Sequence, residues 1–492
     1  MQPLAKNSVG LWWLYGGITV FAIAACIGFV SEVFWILLLP AVILVIVTGI
    51  YRMDLLMLFA VVVTPLSINL SKTGLGIGVS LPSEPIIFGI MLLFVFKTIA
   101  NEPIDKKILS HPVTLAIIFH LLWMTITTLT SSLPLVSFKA TLARYCFVLV
   151  YYFLAIQMFK NIKNIKIFSW CYLIPLMIII FYTTLIHASQ GFSEQAAHTS
   201  MVPFYNDHTA YAAMIAMFIP LIFGYIADKD TSINLRIWAF VALLILISAI
   251  VLSYTRASWI SLVAALLCYL VFLLRIKTAI IISGIVTVVA FIFIFQTQII
   301  MELEQNEEQS SSDYASHVES MSNISTDASN VERINRWHSA FRLFDDRPWF
   351  GWGPGTYMFQ YAPYQKWSER TYISTNFGEG GNAHSEFIGP LAEQGILGPI
   401  AFILIGIFTI YRASRMIIYS KDKRVRILAK GLILGLITYW IHGMLNNFLD
   451  TEKASVPFWA FIAGIVALDV YHFREKESFN DQKTNLSGNS NT

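Results

Sequence analysis

Residues 236–253, RIWAFVALLILISAIVLS, decide the fold. Arg236 opens the stretch and no further charge occurs before Arg256. The run between them suits a helix crossing a bilayer core of about 30 Å, which needs roughly 20 apolar residues. Its apolar residues follow one another without the alternation of a barrel strand. A lone strand would also leave its amides unpaired in lipid, so a helix is the expected element.

Outward from it, comparable runs fall near 11–30, 33–51, 53–71, 82–99, 113–132, 138–159, 166–187, 208–227, 257–275, 277–296, 389–411, 431–449 and 454–472. With 56% hydrophobic and 13% charged residues and a mean hydropathy of +0.65, the 492 residues count membrane helices rather than soluble domains. An all-α polytopic membrane protein with about 12–14 transmembrane helices is expected. Its parts are a helical region over 1–296, a large outer loop over 297–388, further helices over 389–472 and a tail over 473–492. Within the loop, 302–330 is rich in Ser, Asn, Glu and Asp and reads as a flexible tether, with order from about 329 to 388.

Placing the N-terminus in the cytoplasm puts most of the lysines and arginines on cytoplasmic connections, among them Arg412, Arg415, Lys421, Lys423, Arg424 and Arg426. Short outer loops keep Lys72, Lys139 and Lys453, so the positive-inside rule favours both termini in the cytoplasm and 297–388 outside. The net charge of +3 sorts by membrane side and leaves no face for nucleic acid. Cys26, Cys146, Cys171 and Cys268 all lie in apolar runs, so neither a disulfide nor a cysteine metal site is expected. The first apolar run, lacking a small-residue cleavage site, reads as a retained helix.

Chemistry concentrates in the outer loop. Ser329-Asn330-Val331-Glu332 has capping-box spacing, and Val331, Ile334, Trp337, Phe341 and Phe344 recur at helical intervals up to Pro348. Arg333 and Arg336, three apart, then share one side of the first turns, where two guanidinium groups can grip a polyanion or simply solvate a surface helix. Gly351-Trp352-Gly353-Pro354-Gly355 makes a tight turn whose amides could face an anion. The aromatics from Trp349 to Phe377 suit either sugar stacking or interfacial anchoring. His384, in Asn382-Ala383-His384-Ser385-Glu386, can act as a base near neutral pH or serve as a structural hydrogen-bonding group. Arg144 and Arg256 lie in or at the edge of apolar spans, where a charge is costly and commonly paired or functional. Asn206-Asp207-His208, and His442 with Asn446, Asn447 and Asp450, suit an acceptor cavity or, equally, helix caps and interhelical hydrogen bonds.

In this order the motifs resemble the O-antigen ligase and O-antigen polymerase superfamily. The resemblance rests on Ser253-Tyr254-Thr255-Arg256-Ala257-Ser258-Trp259, on Arg333 to Trp337 with Pro348 to Gly355, and on His384 with Glu393-Gln394-Gly395-Ile396-Leu397-Gly398. It covers the C-terminal half; the N-terminal half agrees in general character. The resemblance implies a GT-C-like fold in a bacterial inner membrane and a periplasmic active site. There a glycan would leave undecaprenyl diphosphate for an acceptor hydroxyl, such as that of lipid A core or of a growing glycan. It gives Arg256 and Arg333 the donor diphosphate and His384 the part of general base, with Arg336 added because it shares a helix side with Arg333. Asp207, His208, Arg144 and Glu393 are acceptor or support candidates. No metal or cofactor is implied, because fixed cations can stabilise the leaving diphosphate.

Ligase, repeat-unit polymerase for O-antigen or exopolysaccharide, and protein O-oligosaccharyltransferase share these motifs. A transporter of lipid-linked sugar is the non-enzyme alternative, but such proteins place polar groups near the midplane of repeated halves. No internal repeat is evident here, and the charged motifs gather on one face.

Overall fold

The computed structural model describes residues 19, 21, 39–70, 78–100, 103–274, 328–370, 374 and 381–473. The chain divides into two compact units, 1–59 and 60–492. Among the described residues, ten helices are long and apolar enough to cross a membrane: α1 (Ser83–Ala100), α2 (Pro112–Leu129), α3 (Pro134–Met158), α4 (Lys163–Ser189), α5 (His208–Ala227), α6 (Ile233–Leu252), α7 (Arg256–Leu274), and later α10 (Leu397–Tyr419), α11 (Lys423–Gly443) and α12 (Glu452–His472). Between α7 and α10 lie α8 (Ala328–Asp346) and the short α9 (Ile388–Gln394). The protein is an all-α polytopic membrane protein. Its described strands are a two-residue antiparallel pair, Ile68–Asn69 with Ser80–Leu81, in which Ile68 faces Leu81.

The apolar runs near 11–30 and 277–296, and the tether up to residue 327, lie outside the described residues, apart from isolated positions in the first. The run expected over 53–71 is a shorter helix, Met53–Leu66, after which the chain turns into the small strand pair.

α6 shows why lipid selects this fold. Its exposed side chains are large and apolar, Ile237, Phe240, Leu244, Ile247 and Val251, spaced as one helical stripe. Its buried side carries Ala239, Ala242, Leu246 and Ala249 and packs against α4 and α5. Small residues let helix backbones approach where lipid removes the hydrophobic drive for association.

Three helix boundaries differ from those expected, two of them at the lysines and arginines used for sidedness. α11 begins at Lys423, so Lys423, Arg424, Arg426 and Lys430 belong to its first turns rather than to a loop. Lys453, expected in a short outer loop, lies inside α12 and is buried. Its ammonium donates to the carbonyls of Pro65 at 2.7 Å and Ser67 at 2.8 Å. The run near 389–411 is two helices, α9 and α10, broken at Gly395 with φ 67°. A Cβ at Gly395 would lie 2.1 Å from the Trp349 carbonyl oxygen, so this break admits only glycine.

Candidate functional site

α8 forms where the helical spacing predicts it and buries polar residues as well as apolar ones. The face it buries carries Glu332, Asn335, Arg336, Ser339, Ala340 and Leu343, whereas Phe341 is 43% exposed. A membrane protein can turn apolar side chains outward, and the polar ones enter the fold because they satisfy one another. Glu332 is no capping residue, since the helix already begins at Ala328. Its carboxylate accepts from Arg336 Nε at 2.7 Å, from Asn335 at 3.3 Å and from the Ser374 hydroxyl. Burial pushes that carboxyl up, but the Ser374 and Arg336 hydrogen bonds outweigh it and hold the pKa below the ordinary value. Ala340 and Leu343 continue the face into a small core with Tyr357, Tyr361, Ala383 and Ala392, which seats the residue preceding His384.

The two arginines separate here. Arg336 is 6% exposed; besides Glu332, it donates from Nη1 to the Asn382 carbonyl at 3.1 Å and lies 5.3 Å over the Tyr361 ring. It braces the loop. Arg333 is only partly buried, and its charge acts on His384, His208 and His442.

His384 has φ 46°, a left-handed backbone that a residue with a Cβ adopts at some strain and that marks functional turns. The Asn382 side-chain oxygen accepts its amide at 3.0 Å, so one asparagine joins Arg336 to His384. Burial foremost, then the Arg336 and Arg333 charges, lower the imidazole pKa to about 4, against the opposing pull of Asp207 and Glu332. At neutral pH the ring is therefore uncharged and able to accept a proton.

Glu386, two residues on, was not singled out from the sequence. Its Oε1 accepts from the Tyr439 hydroxyl at 2.7 Å and from the amides of Phe448 at 2.7 Å and Leu449 at 2.9 Å, while its own amide donates to the Gly443 carbonyl at 2.8 Å. These bonds fasten the His384 loop to the turn between α11 and α12. A carboxylate at the edge of an apolar run was the available signal, because such a group in a membrane protein rarely stands without a task.

Asp207 caps α5, accepting from the Ala210 amide at 2.7 Å and the Thr209 hydroxyl at 2.5 Å. The His208 ring stacks on His198 with centroids 4.2 Å apart. Arg256 opens α7 just after Tyr254, which has φ 49°. The intervening Thr255 hydroxyl lies 3.4 Å from the His208 carbonyl, so the Arg256 turn meets the head of α5. The buried His442 at the end of α11 feels Asp207, Arg333 and His208. Arg144 pairs with Asp450 at 3.3 Å.

The amides of the glycine turn are taken up within the fold, that of Gly355 by the Glu393 carboxyl group. Trp352 N–H donates to the Ala392 carbonyl and Gly353 N–H to the Glu393 carbonyl, and the Tyr357 amide reaches Glu393 Oε1 at 3.1 Å. Glu393 is thus a support. Burial, and then Asp450, push its carboxyl up to about 7.

Two cavities flank the His384 loop. One, of about 360 Å³, is lined by Lys139, Arg144, Glu386 and Glu393 among others. The other, of about 260 Å³, is lined by Glu84, Asp207, Glu452 and Lys453 among others. Asn382, Asn447 and Asp450 line both. No curated protein sequence matches the chain. Residues 241–403 match the family described as O-antigen ligase. That stretch, about a third of the chain, is similar to the O-antigen ligase family and holds Arg256, Arg333, Arg336, His384, Glu386 and Glu393.

Proposed function

We propose that the protein is a glycosyltransferase that moves a glycan from undecaprenyl diphosphate to an acceptor hydroxyl, that of lipid A core, on the periplasmic face of a bacterial inner membrane. The observation that carries this reading is His384, a half-buried imidazole held in a left-handed turn within the field of Arg333 and Arg336. In the reaction the acceptor O–H gives its proton to His384, and its oxygen forms a bond to the sugar C1. The C1–O bond to the diphosphate breaks, and the electron pair leaves on the diphosphate oxygen. Arg256 and Arg333 meet that charge, which fixed cations stabilise most when water is excluded. His384 then releases its proton to water.

A ring held at a pKa of about 4 by desolvation and two arginines is a weak base. An anionic donor offsets the arginine charges that hold it there, so the same ring becomes more basic once the donor is bound. Base strength thereby arises with the substrate. A single displacement inverts the anomeric centre; retention in the product, seen by NMR, would exclude it.

The test is the purified full-length chain in nanodiscs with a synthetic undecaprenyl-diphosphate glycan and lipid A core acceptor. Glycan joined to the acceptor, with undecaprenyl diphosphate released and turnover persisting in EDTA, is the expected result. Donor carried across vesicles without any transfer would overturn the reading in favour of a transporter.

A further inference from the structure

Charge of both signs surrounds the His384 loop. Arg333 and Arg336 supply the positive field at the imidazole, whereas the 260 Å³ cavity is walled by the carboxyl groups of Glu84, Asp207, Asp450 and Glu452. Its lysine, Lys453, spends its ammonium on the carbonyls of Pro65 and Ser67. Glu452 is 2% exposed, and its Oε1 has no hydrogen-bond partner among the described residues. A buried carboxyl oxygen without a donor is unfavourable unless something that binds supplies one. Phe204, Tyr205 and Phe448 add ring surfaces to the same wall. Asn382, which lines the cavity, holds the His384 amide through its side chain. The volume lies near the lower end of small-molecule sites.

Resting on the function proposed above, we infer that this cavity is the acceptor subsite and takes a neutral or amine-bearing sugar, whose hydroxyl or ammonium groups donate to Glu452 and Glu84. Aromatic surface covers the apolar face of the sugar ring, and the hydroxyl to be glycosylated lies at the Asn382 end, within reach of His384. Phosphorylated or uronic sugars are turned away, because like charges in a water-poor cavity repel strongly. The diphosphate donor and the acceptor are thus sorted by charge, the donor to the arginines and the acceptor to the acidic cavity.

The test uses the full chain in phosphatidylcholine nanodiscs and saturation-transfer NMR with methyl glucoside, methyl glucosaminide and methyl glucuronide as probes. The first two are expected to receive saturation and the glucuronide none. Glu452→Gln is expected to weaken the glucosaminide at least tenfold while undecaprenyl diphosphate still binds, and Glu84→Gln serves as the second variant should the first misfold. An equal response from the glucuronide, or glucosaminide binding unchanged in both variants, overturns the inference even if the chain transfers glycan. Charge-selective binding lost in the variants, in a chain that transfers nothing, supports a sugar subsite and overturns the transferase reading instead.

Discussion

The Glu386 carboxylate accepts the Tyr439 hydroxyl at 2.7 Å, across 53 residues of chain, and so ties the His384 loop to α11. Glu386→Ala orphans that hydroxyl and the Phe448 and Leu449 amides, and each buried group left unsatisfied costs about 1–3 kcal/mol. Thermal unfolding should shift well below that of Tyr439→Phe, which removes one bond worth about 1 kcal/mol. In Tyr439→Phe, kcat should fall while donor KM holds; a rise in KM alone would argue against a positioning role.

His384→Ala should insert and fold normally, bind undecaprenyl diphosphate, and lose transfer by ~10²–10⁴-fold, the range that a general base supplies. Near-normal turnover in the nanodisc assay would remove His384 from the chemistry.

The acid limb of kcat/KM should fall near pH 4, well below the ordinary imidazole value of about 6.5. Below about pH 4 the free-enzyme ring is protonated and cannot take the acceptor proton; above it the limb is flat. Arg333→Gln removes a repelling cation, favours the protonated ring and moves the limb to higher pH. The sign for stability is the same: between about pH 6.5 and 4 the unfolded ring binds a proton that the folded ring refuses, so this group's contribution falls as pH falls. A free-enzyme limb at pH 6.5 would contradict the desolvation and arginine field assigned to the ring.

The two arginines should separate experimentally. Arg336→Lys keeps the charge but cannot span Glu332 and the Asn382 carbonyl, and breaking a buried pair costs about 3–5 kcal/mol when one partner is removed outright. A lower melting temperature is expected there, whereas Arg333→Gln should melt near the parent and raise donor KM. The opposite ranking would exchange their roles.

Asp207→Ala should lose about 0.5–2 kcal/mol through the cap of α5, and Asp207→Asn should restore most of it. Failure of asparagine to recover the melting temperature would mean that the carboxylate's charge, rather than its capping oxygen, matters there.

Much of this protein is legible in the sequence because lipid imposes one simple rule on long stretches. The run over 236–253 appears as α6 within a residue or two at its C-terminal end, since nothing but helix satisfies its amides there. His384, Arg333 and Arg256 stand out because charge and imidazole at membrane edges are scarce. What hid was decided by partners distant in the chain. Glu332 has capping-box spacing, yet its use is fixed by Arg336 and by Ser374, 42 residues away. Glu386 gains meaning only from Phe448, 62 residues on. Lys453 reads as a loop lysine until Pro65 and Ser67 fold against it. The helical spacing of Val331 to Phe344 located α8 but not the polar residues it buries, because Glu332, Asn335 and Arg336 enter the fold by satisfying one another.

The brace around Arg336 has a consequence for descent. A Cβ at Gly381 would fall 2.2 Å from Arg336 Nη1, and Glu332 supplies the counter-charge from one helical turn earlier. Positions 332, 336 and 381 therefore form a single heritable unit. A lineage that acquires a side chain at 381 must let the guanidinium go, and once it has gone the acid at 332 is an uncompensated buried charge. Related chains should carry all three residues or replace all three, while Arg333 varies on its own schedule.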